Sequence, residues 1–282
     1  MKFCVVGAGF SGAVLASCLA DKGAHIDLFE ANSHVAGHCH TQTDPKTGIN
    51  VHVYGPHIFH TDDKEVWSYV QKYDEFIPYT HQVMANAGNS IFTLPVNLHT
   101  INQLFNTSLS PAEARLFIDR QKTPISSPKN FEEQALKLMG KRLYEAFFYG
   151  YTKKHWGLEP RLLPNHILKR LPFRYNYNSC YFSNAFQGVP KNGYTSIIEG
   201  ILDHPNIKVH LNADLKKENC TEFDHCFWTG PIDAWFEYKE GSLPYRTLDF
   251  KRIYDDGDFQ GCAVMNYCDE DVPYTRITEH KH

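Results

Sequence analysis

No apolar run in this 282-residue chain approaches the roughly 20 residues that a membrane-spanning helix needs, so no membrane partner is expected. Serine-, glutamine- and proline-rich tracts are absent too. With 42% hydrophobic residues, the chain reads as a compact, enzyme-sized protein and not a disordered one. Neither sign of charge dominates. The 28 basic and 32 acidic residues leave a net charge of −4, which gives no sequence-wide attraction to nucleic acid or to an anionic membrane. Met1-Lys2-Phe3 runs directly into a strand pattern with no room for a signal peptide, and a cytoplasmic protein is expected.

Paired-cysteine spacing is missing as well. The eight cysteines include no C-x-x-C, and the gaps between Cys220 and Cys226 and between Cys262 and Cys268 match no common zinc pattern. Reduced, mostly buried thiols are expected, since free cysteine behaves as a small hydrophobe. Histidine is abundant by contrast, with six of the sixteen lying between His34 and His60. No H-E-x-x-H or comparable carboxylate spacing accompanies them, so no metal site is assigned.

The chemistry-bearing pattern begins at the first strand. Phe3-Cys4-Val5-Val6 is a short apolar run that stops at Gly7-Ala8-Gly9-Phe10-Ser11-Gly12, after which Ala13, Val14, Ala16, Leu19 and Ala20 supply the small and apolar faces of a helix. Gly23 ends it, and His25-Ile26-Asp27-Leu28-Phe29-Glu30 reads as a second strand. This is a βαβ unit with G-x-G-x-x-G at its first turn and an acid closing the second strand. Gly7 permits the turn, Gly9 admits a pyrophosphate to the backbone, and Gly12 lets helix and strand pack closely. The helix N-terminus presents free N–H groups to the phosphates. Glu30, 18 residues beyond Gly12, is placed to accept from a ribose diol, which disfavours NADP. NAD and FAD both satisfy the unit. The loop Asn32-Ser33-His34-Val35-Ala36-Gly37-His38 favours FAD, because flavoproteins commonly carry a Gly-Gly pair there, although Ala36 replaces the first glycine.

Further along, Ile49 to Tyr54 alternates as a strand until Gly55-Pro56 breaks it, which puts His57 and His60 on a loop. From Leu98 to about Leu168 the pattern is helical. Ser110-Pro111-Ala112-Glu113 is a capping box, Asn130 caps the run Phe131–Met139, and Lys141 to Tyr151 continues with Leu143, Tyr144, Phe147 and Phe148 as an apolar stripe. Gly150-Tyr151-Thr152-Lys153-Lys154-His155-Trp156-Gly157 combines large aromatics, two lysines and flanking glycines, a composition suited to a flat, anionic ligand. Ile207–Leu211 and Asp224–Gly230 read as strands that rejoin the parallel sheet. Arg170, Arg174, Arg246 and Arg276 punctuate the surrounding stretches, and arginine suits a bidentate grip on phosphate oxygens.

Taken together, these residues resemble the bacterial UDP-galactopyranose mutase family. The segments that carry the resemblance are Val6–Ala13, Tyr54–Thr61, Gly150–Gly157, Leu168–Pro172, Phe186–Gly188 with Gly193–Thr195, Thr229–Asp233 and Val272–Ile277. The resemblance implies an α/β protein: a FAD-binding Rossmann-like βαβ domain with an inserted helical bundle and an antiparallel sheet domain. It places the FAD domain at 1–76 plus about 183–230, the bundle at about 98–168, and the sheet domain at about 77–97, 169–182 and 231–282. It also implies a homodimer that interconverts UDP-galactopyranose and UDP-galactofuranose for cell-surface polysaccharide. The flavin must be reduced, by a partner the sequence does not identify, and its N5 attacks the sugar's anomeric carbon and expels UDP.

Residue by residue, the resemblance makes Arg170 and Arg276 the diphosphate clamp, with Arg246 auxiliary. Phe147, Tyr151, Thr152 and Trp156 fall at uridine-side and mobile-loop positions, Tyr181 at a phosphate oxygen, and Asn266 near the sugar. His81 stands where some relatives carry Asn, and His57 lies beside the flavin ring. Gly7, Gly9, Phe10, Ser11, Gly12, Glu30, Gly37, His38, His57 and His60 form the expected cofactor-binding set. Family chains continue past Arg276, whereas this sequence stops at Glu279-His280-Lys281-His282, so a C-terminally incomplete chain lacking part of the FAD domain is expected. The alternatives are an amine-oxidase-type flavin oxidoreductase, for which a diphosphate clamp has no purpose, and an inactive UDP-sugar-binding fragment.

Overall fold

The computed structural model describes residues 1–170 and 172–282, with the side chains of 169 and 170 outside the described set. In chain order, β1 (Lys2–Val6), α1 (Phe10–Ala20) and β2 (His25–Phe29) are followed by β3 (Thr41–Thr43), β4 (Asn50–His52), β5 (Phe59–Thr61), α2 (Lys64–Val70) and β6 (Phe76–Pro78). The pair β7 (Val83–Ala87) and β8 (Ser90–Leu94) leads into α3 (Leu98–Phe105), α4 (Pro111–Gln121), α5 (Phe131–Met139), α6 (Lys141–Tyr144) and α7 (Gly150–Trp156). The chain continues through β9 (Phe186–Pro190), α8 (Tyr194–Leu202), β10 (Ile207–His210), β11 (His225–Trp228), α9 (Ile232–Trp235), β12 (Val264–Tyr267) and β13 (Arg276–Thr278).

Two compact units result. The first comprises Met1–Tyr79 and Asn184–Lys251. Its main sheet runs β10-β2-β1-β11, parallel throughout, as the βαβ reading requires. Ala13, Ala16 and Ala20 let α1 lie close to Val5, Ile26 and Leu28, and Ile197, Ile198 and Ile201 of α8 join the same buried cluster. Full burial of each such isoleucine contributes about 1.5–3 kcal/mol. The alternation read from Ile49 to Tyr54 yields a shorter strand than expected, Asn50–His52, paired antiparallel with β3. Residues 231–251, expected with the sheet domain, group with this unit instead. The cause is local: Trp228 Nε1 donates to the Pro231 carbonyl (3.0 Å) and the Trp228 and Trp235 rings meet at 5.4 Å, which ties α9 to the end of β11.

Parallel register also sets Cys4 beside Cys226, with Cys220 close by. The three sulfurs lie within 4.8 Å of one another, Cys220 and Cys226 at 2.8 Å, a convergence that no local spacing signals. Burial pushes the Cys4 thiol up to about 11 and the Cys226 thiol well above its ordinary value, so both are neutral near pH 7. All eight cysteines are free thiols, Cys18 among them exposed.

The second unit comprises Thr80–Ser183 and Arg252–His282. Its sheet is ordered β13-β12-β7-β8, antiparallel except that β12 runs parallel to β7. Leu98, Ile101, Ile118, Phe131, Ala135, Met139 and Leu143 form the helical core. The expected caps are in place. Ser110 and Glu113 close a capping box, and the Asn130 side chain accepts from Glu133 N–H. The stripe from Lys141 is not one regular helix. Glu145–Tyr149 forms a π-helical turn, a widening frequent at functional sites, before α7 resumes and ends at Gly157 with φ +63°.

Candidate functional site

The glycine turn of the first unit explains its own composition. A Cβ on Gly12 would fall on the Gly7 carbonyl oxygen, and Gly7 itself sits at φ +100° against the Thr229 hydroxyl. Gly9 is the opposite case: a Cβ there meets nothing within 4 Å. Gly9 also caps α1, and no side chain caps the first turn. Ala36 at φ +77° and Gly37 at φ +51° bring the loop after β2 up to Gly9, where a Cβ on Gly37 would lie 3.5 Å from Gly9 Cα. Phe10 packs edge-on to Tyr194 at 6.0 Å, whereas Ser11 is exposed. Open space over Gly9 together with an uncapped helix start fits a dinucleotide pyrophosphate.

Glu30, 6% exposed, accepts from Ala8 N–H at 2.9 Å and from the backbone and side-chain nitrogens of Asn32 at 2.9 and 2.7 Å. A carboxylate has roughly four acceptor sites, so one remains for a ribose hydroxyl. His57 is fixed more firmly than a loop histidine needs to be. Its Nδ1–H donates to the Gly55 carbonyl at 2.8 Å, its backbone N–H donates to His52 Nδ1 at 2.9 Å, and Tyr194 donates to its carbonyl at 3.0 Å. That tautomer leaves Nε2 as the acceptor of the neutral ring. His38 is exposed beside Tyr54, and His60 pairs with the Asn184 side chain at 2.9 Å. Among the described residues, the groups of three close metal-ligand donors are Cys4/Cys220/Cys226 and exposed to half-buried Asp258/Glu279/His282, neither including the His34–His60 cluster.

In the second unit, β12 and β13 place Asn266 opposite Arg276 in antiparallel register. Arg276 Nε donates to Asn266 Oδ1 at 3.0 Å, and its Nη2 donates to the Tyr151 hydroxyl at 3.0 Å. Arg276 is exposed, and no carboxylate among the described residues pairs with it. His81 is 6% exposed, stacked near Phe182 and edge-on to Tyr181, whose N–H donates to the His81 carbonyl at 2.8 Å. Burial, and then the positive charge of Arg276, lower its pKa to about 4. Tyr151, Tyr181, Asn266, Arg276 and His81 are therefore linked within one unit.

Other expected residues fall elsewhere. Phe147 is 3% exposed and packs edge-on against Phe92 at 5.0 Å, so its ring belongs to the helical core. Thr152 is 6% exposed, and Trp156 is half-buried against that core, where a mobile tip was expected. Arg246 lies in an exposed irregular stretch of the first unit. The side chain of Arg170 lies outside the described residues. Arg174 donates to the carbonyls of Asn178 and Cys180, a loop-bracing role. The two lysines read as anion-gripping are also committed to protein. Lys153 pairs with Glu159 at 2.9 Å and Glu270 at 2.8 Å, and Lys154 donates to backbone carbonyls. Sequence composition shows two cations in this segment but not the acceptors that fold onto them.

Comparison with known proteins adds three kinds of likeness. Residues 146–282 match the family model described as UDP-galactopyranose mutase, and residues 5–73 match that of an NAD(P)-binding Rossmann-like domain. The protein named Probable UDP-galactopyranose mutase from Klebsiella pneumoniae is 53% identical, over 99% of this chain and 73% of its own. The dTDP-fucopyranose mutase of Escherichia coli is 50% identical over 100% of this chain and 77% of its own, and the UDP-galactopyranose mutase of Mycoplasma pneumoniae is 32% identical over 98% and 75%. A crystal structure of reduced UDP-galactopyranose mutase superposes with a TM-score of 0.68 at 15% identity, over 98% of this chain and 69% of that one, a likeness of fold.

Proposed function

This chain belongs to the UDP-galactopyranose mutase family, a family of flavin-dependent isomerases, and we propose that it interconverts UDP-galactopyranose and UDP-galactofuranose with a bound, reduced FAD. The observation that carries this reading is Arg276, an exposed guanidinium braced by Asn266 and Tyr151 with no carboxylate partner among the described residues. Two of its five N–H groups are used in bracing, which leaves roughly three for phosphate oxygens.

When bound, a reduced flavin supplies a nucleophilic nitrogen, N5, for the anomeric carbon as the diphosphate departs. Gly9 and the start of α1 hold the pyrophosphate of FAD, and Glu30 takes a ribose hydroxyl. His57, with Nδ1–H held on Gly55, offers Nε2 to the flavin ring. Arg276 stabilises the negative charge that develops on the leaving UDP and keeps it in place for return. His81 stays neutral beside Arg276 and adds no competing positive charge at neutral pH. The conversion has no net redox change, so an external donor is needed only to keep the flavin reduced.

Purified chain with dithionite and UDP-galactofuranose should form UDP-galactopyranose, and Arg276→Ala should lower that turnover at least ~100-fold, since one lost contact to transition-state charge is worth roughly 2.7–4 kcal/mol. Unchanged turnover in the variant would return Arg276 to a surface role. A second reading rests on the 50% identity to a dTDP-fucopyranose mutase over the whole chain, close to the 53% identity to the Klebsiella protein. Under it the substrate is a dTDP-6-deoxyhexose. Comparing kcat/KM for UDP-galactofuranose and dTDP-fucofuranose on the same preparation decides between the two, since either clamp grips a diphosphate.

A further inference from the structure

The loop that joins β12 to β13 lies between the two residues that define the arginine site, Asn266 on one strand and Arg276 on the other. Its backbone carbonyls do not all face solvent. Those of Asp269, Val272 and Tyr274, with that of Tyr267 at the end of β12, converge on Lys154 Nζ at 2.6, 3.0, 3.0 and 2.9 Å. An ammonium has three N–H donors, so four oxygens around one nitrogen resemble the carbonyl shell of a monovalent cation more than an ordinary lysine contact. No carboxylate among the described residues pairs with Lys154, and burial lowers its pKa from the ordinary lysine value. The arrangement is therefore a desolvated charge held by backbone dipoles.

The same helix meets the loop at two further points. Gly150 is so close that a Cβ there would lie 3.3 Å from Glu270 N and would collide with the Cys268 carbonyl, and Lys153 reaches the Glu270 carboxylate at 2.8 Å. One turn before Lys154, Tyr151 accepts from Arg276. We propose that Lys154 is a positioning residue of the diphosphate site: by gathering these four carbonyls it fixes the β12–β13 connection against α7, so that Arg276 and Asn266 meet Tyr151. The proposal rests on the reading of Arg276 as the diphosphate-binding group. It requires lysine in particular. The planar fork of arginine spreads its donors and does not converge on one point, and glutamine brings two donors and no charge.

Truncation to alanine removes three methylenes' worth of stem and the ammonium, which propylammonium replaces atom for atom. In the full chain, Lys154→Ala should weaken UDP binding about tenfold or more, as loss of several charge-assisted hydrogen bonds implies, with flavin absorbance of the first unit unchanged. Millimolar propylammonium should restore most of the affinity, 1-propanol should not, and neither additive should improve wild type or Arg276→Ala. Lys154→Met, which keeps an apolar stem without charge, should remain weak and unrescued, with a native circular-dichroism spectrum. Wild-type UDP affinity in Lys154→Ala overturns the clamp, and so does a loss that propylammonium fails to repair. If instead Arg276→Ala binds UDP as wild type does, the diphosphate reading itself falls, and the clamp's functional role falls with it; a loss in Arg276→Ala without one in Lys154→Ala rejects the clamp alone.

Discussion

Gly9 and Gly12, three positions apart in one turn, behave as different kinds of residue. At Gly9 a side chain meets open space, so Gly9→Val should fold with a near-native melting temperature yet be purified without flavin, because the methyls occupy the approach to the backbone. At Gly12 even one methyl meets the Gly7 carbonyl, so Gly12→Ala should cost about 1–3 kcal/mol or more of stability through backbone displacement. Thermal melts with visible flavin spectra separate the two; flavin-loaded Gly9→Val would remove the pyrophosphate assignment. His81 makes a prediction of another sort. Its pKa is about 4 in the folded protein against about 6.5 in an unfolded chain, so both states are neutral above pH 6.5. Between pH 6.5 and 4 the unfolded chain takes up a proton that the folded chain refuses, and stability falls as pH falls, by about 3 kcal/mol across the window. Urea unfolding at pH 7 and pH 4.5 should show a smaller drop for His81→Asn than for wild type. Equal drops would place the pH sensitivity elsewhere.

Elements in the second unit depend on their starts. Asn97 is 1% exposed at the N-cap of α3, where its side-chain oxygen accepts from His99 and Thr100 N–H at 2.9 and 3.2 Å and its amide nitrogen donates to the Pro95 carbonyl and Thr93 Oγ1, both at 3.1 Å. Thr100 Oγ1 in turn accepts from the Asn97 N–H, which completes a capping box. Asn97→Ala removes the cap and leaves buried donors and acceptors without partners, a loss of about 2–3 kcal/mol. A shift in the urea midpoint measures it, and a change below about 0.5 kcal/mol would mean that water replaces the side chain. The π-helical turn before α7 matters to function through direction. It sets which face of α7 carries Tyr151 and Lys154 toward the β12–β13 connection while Thr152 stays buried.

For the molecule as a whole, a net charge of −4 repels a nucleoside diphosphate at long range. Attraction must then come from local cations, and Arg276 is one that no described carboxylate neutralises. UDP affinity should therefore fall as salt rises from about 0.01 to 0.15 M, while the screening length shrinks from about 30 to 8 Å, and the slope should flatten in Arg276→Ala. Equal salt slopes in the two proteins would assign the attraction to other cations. Lys153 and Lys154 do not belong among the candidates, since the first is neutralised by Glu159 and Glu270 and the second by carbonyl dipoles.

The sequence by itself determined what depends on neighbours along the chain. The G-x-G-x-x-G turn, the strand character of Ile207–His210 and His225–Trp228, and the caps at Ser110 and Asn130 are all local patterns with a direct physical reading. Tertiary structure decided which polar groups meet after long loops close. The π-helical turn was hidden because residue types do not distinguish an i→i+5 turn from an i→i+4 one. The edge-on packing of Phe147 against Phe92 joins residues 55 positions apart and is decided only in three dimensions. Cys4, Cys220 and Cys226 converge only because β1 and β11 are adjacent, and Lys154 finds four carbonyls only because the β12–β13 connection folds back onto α7. Composition reveals the charge of a lysine, but backbone oxygens that compensate it belong to every residue type alike, so their arrangement exists only in three dimensions.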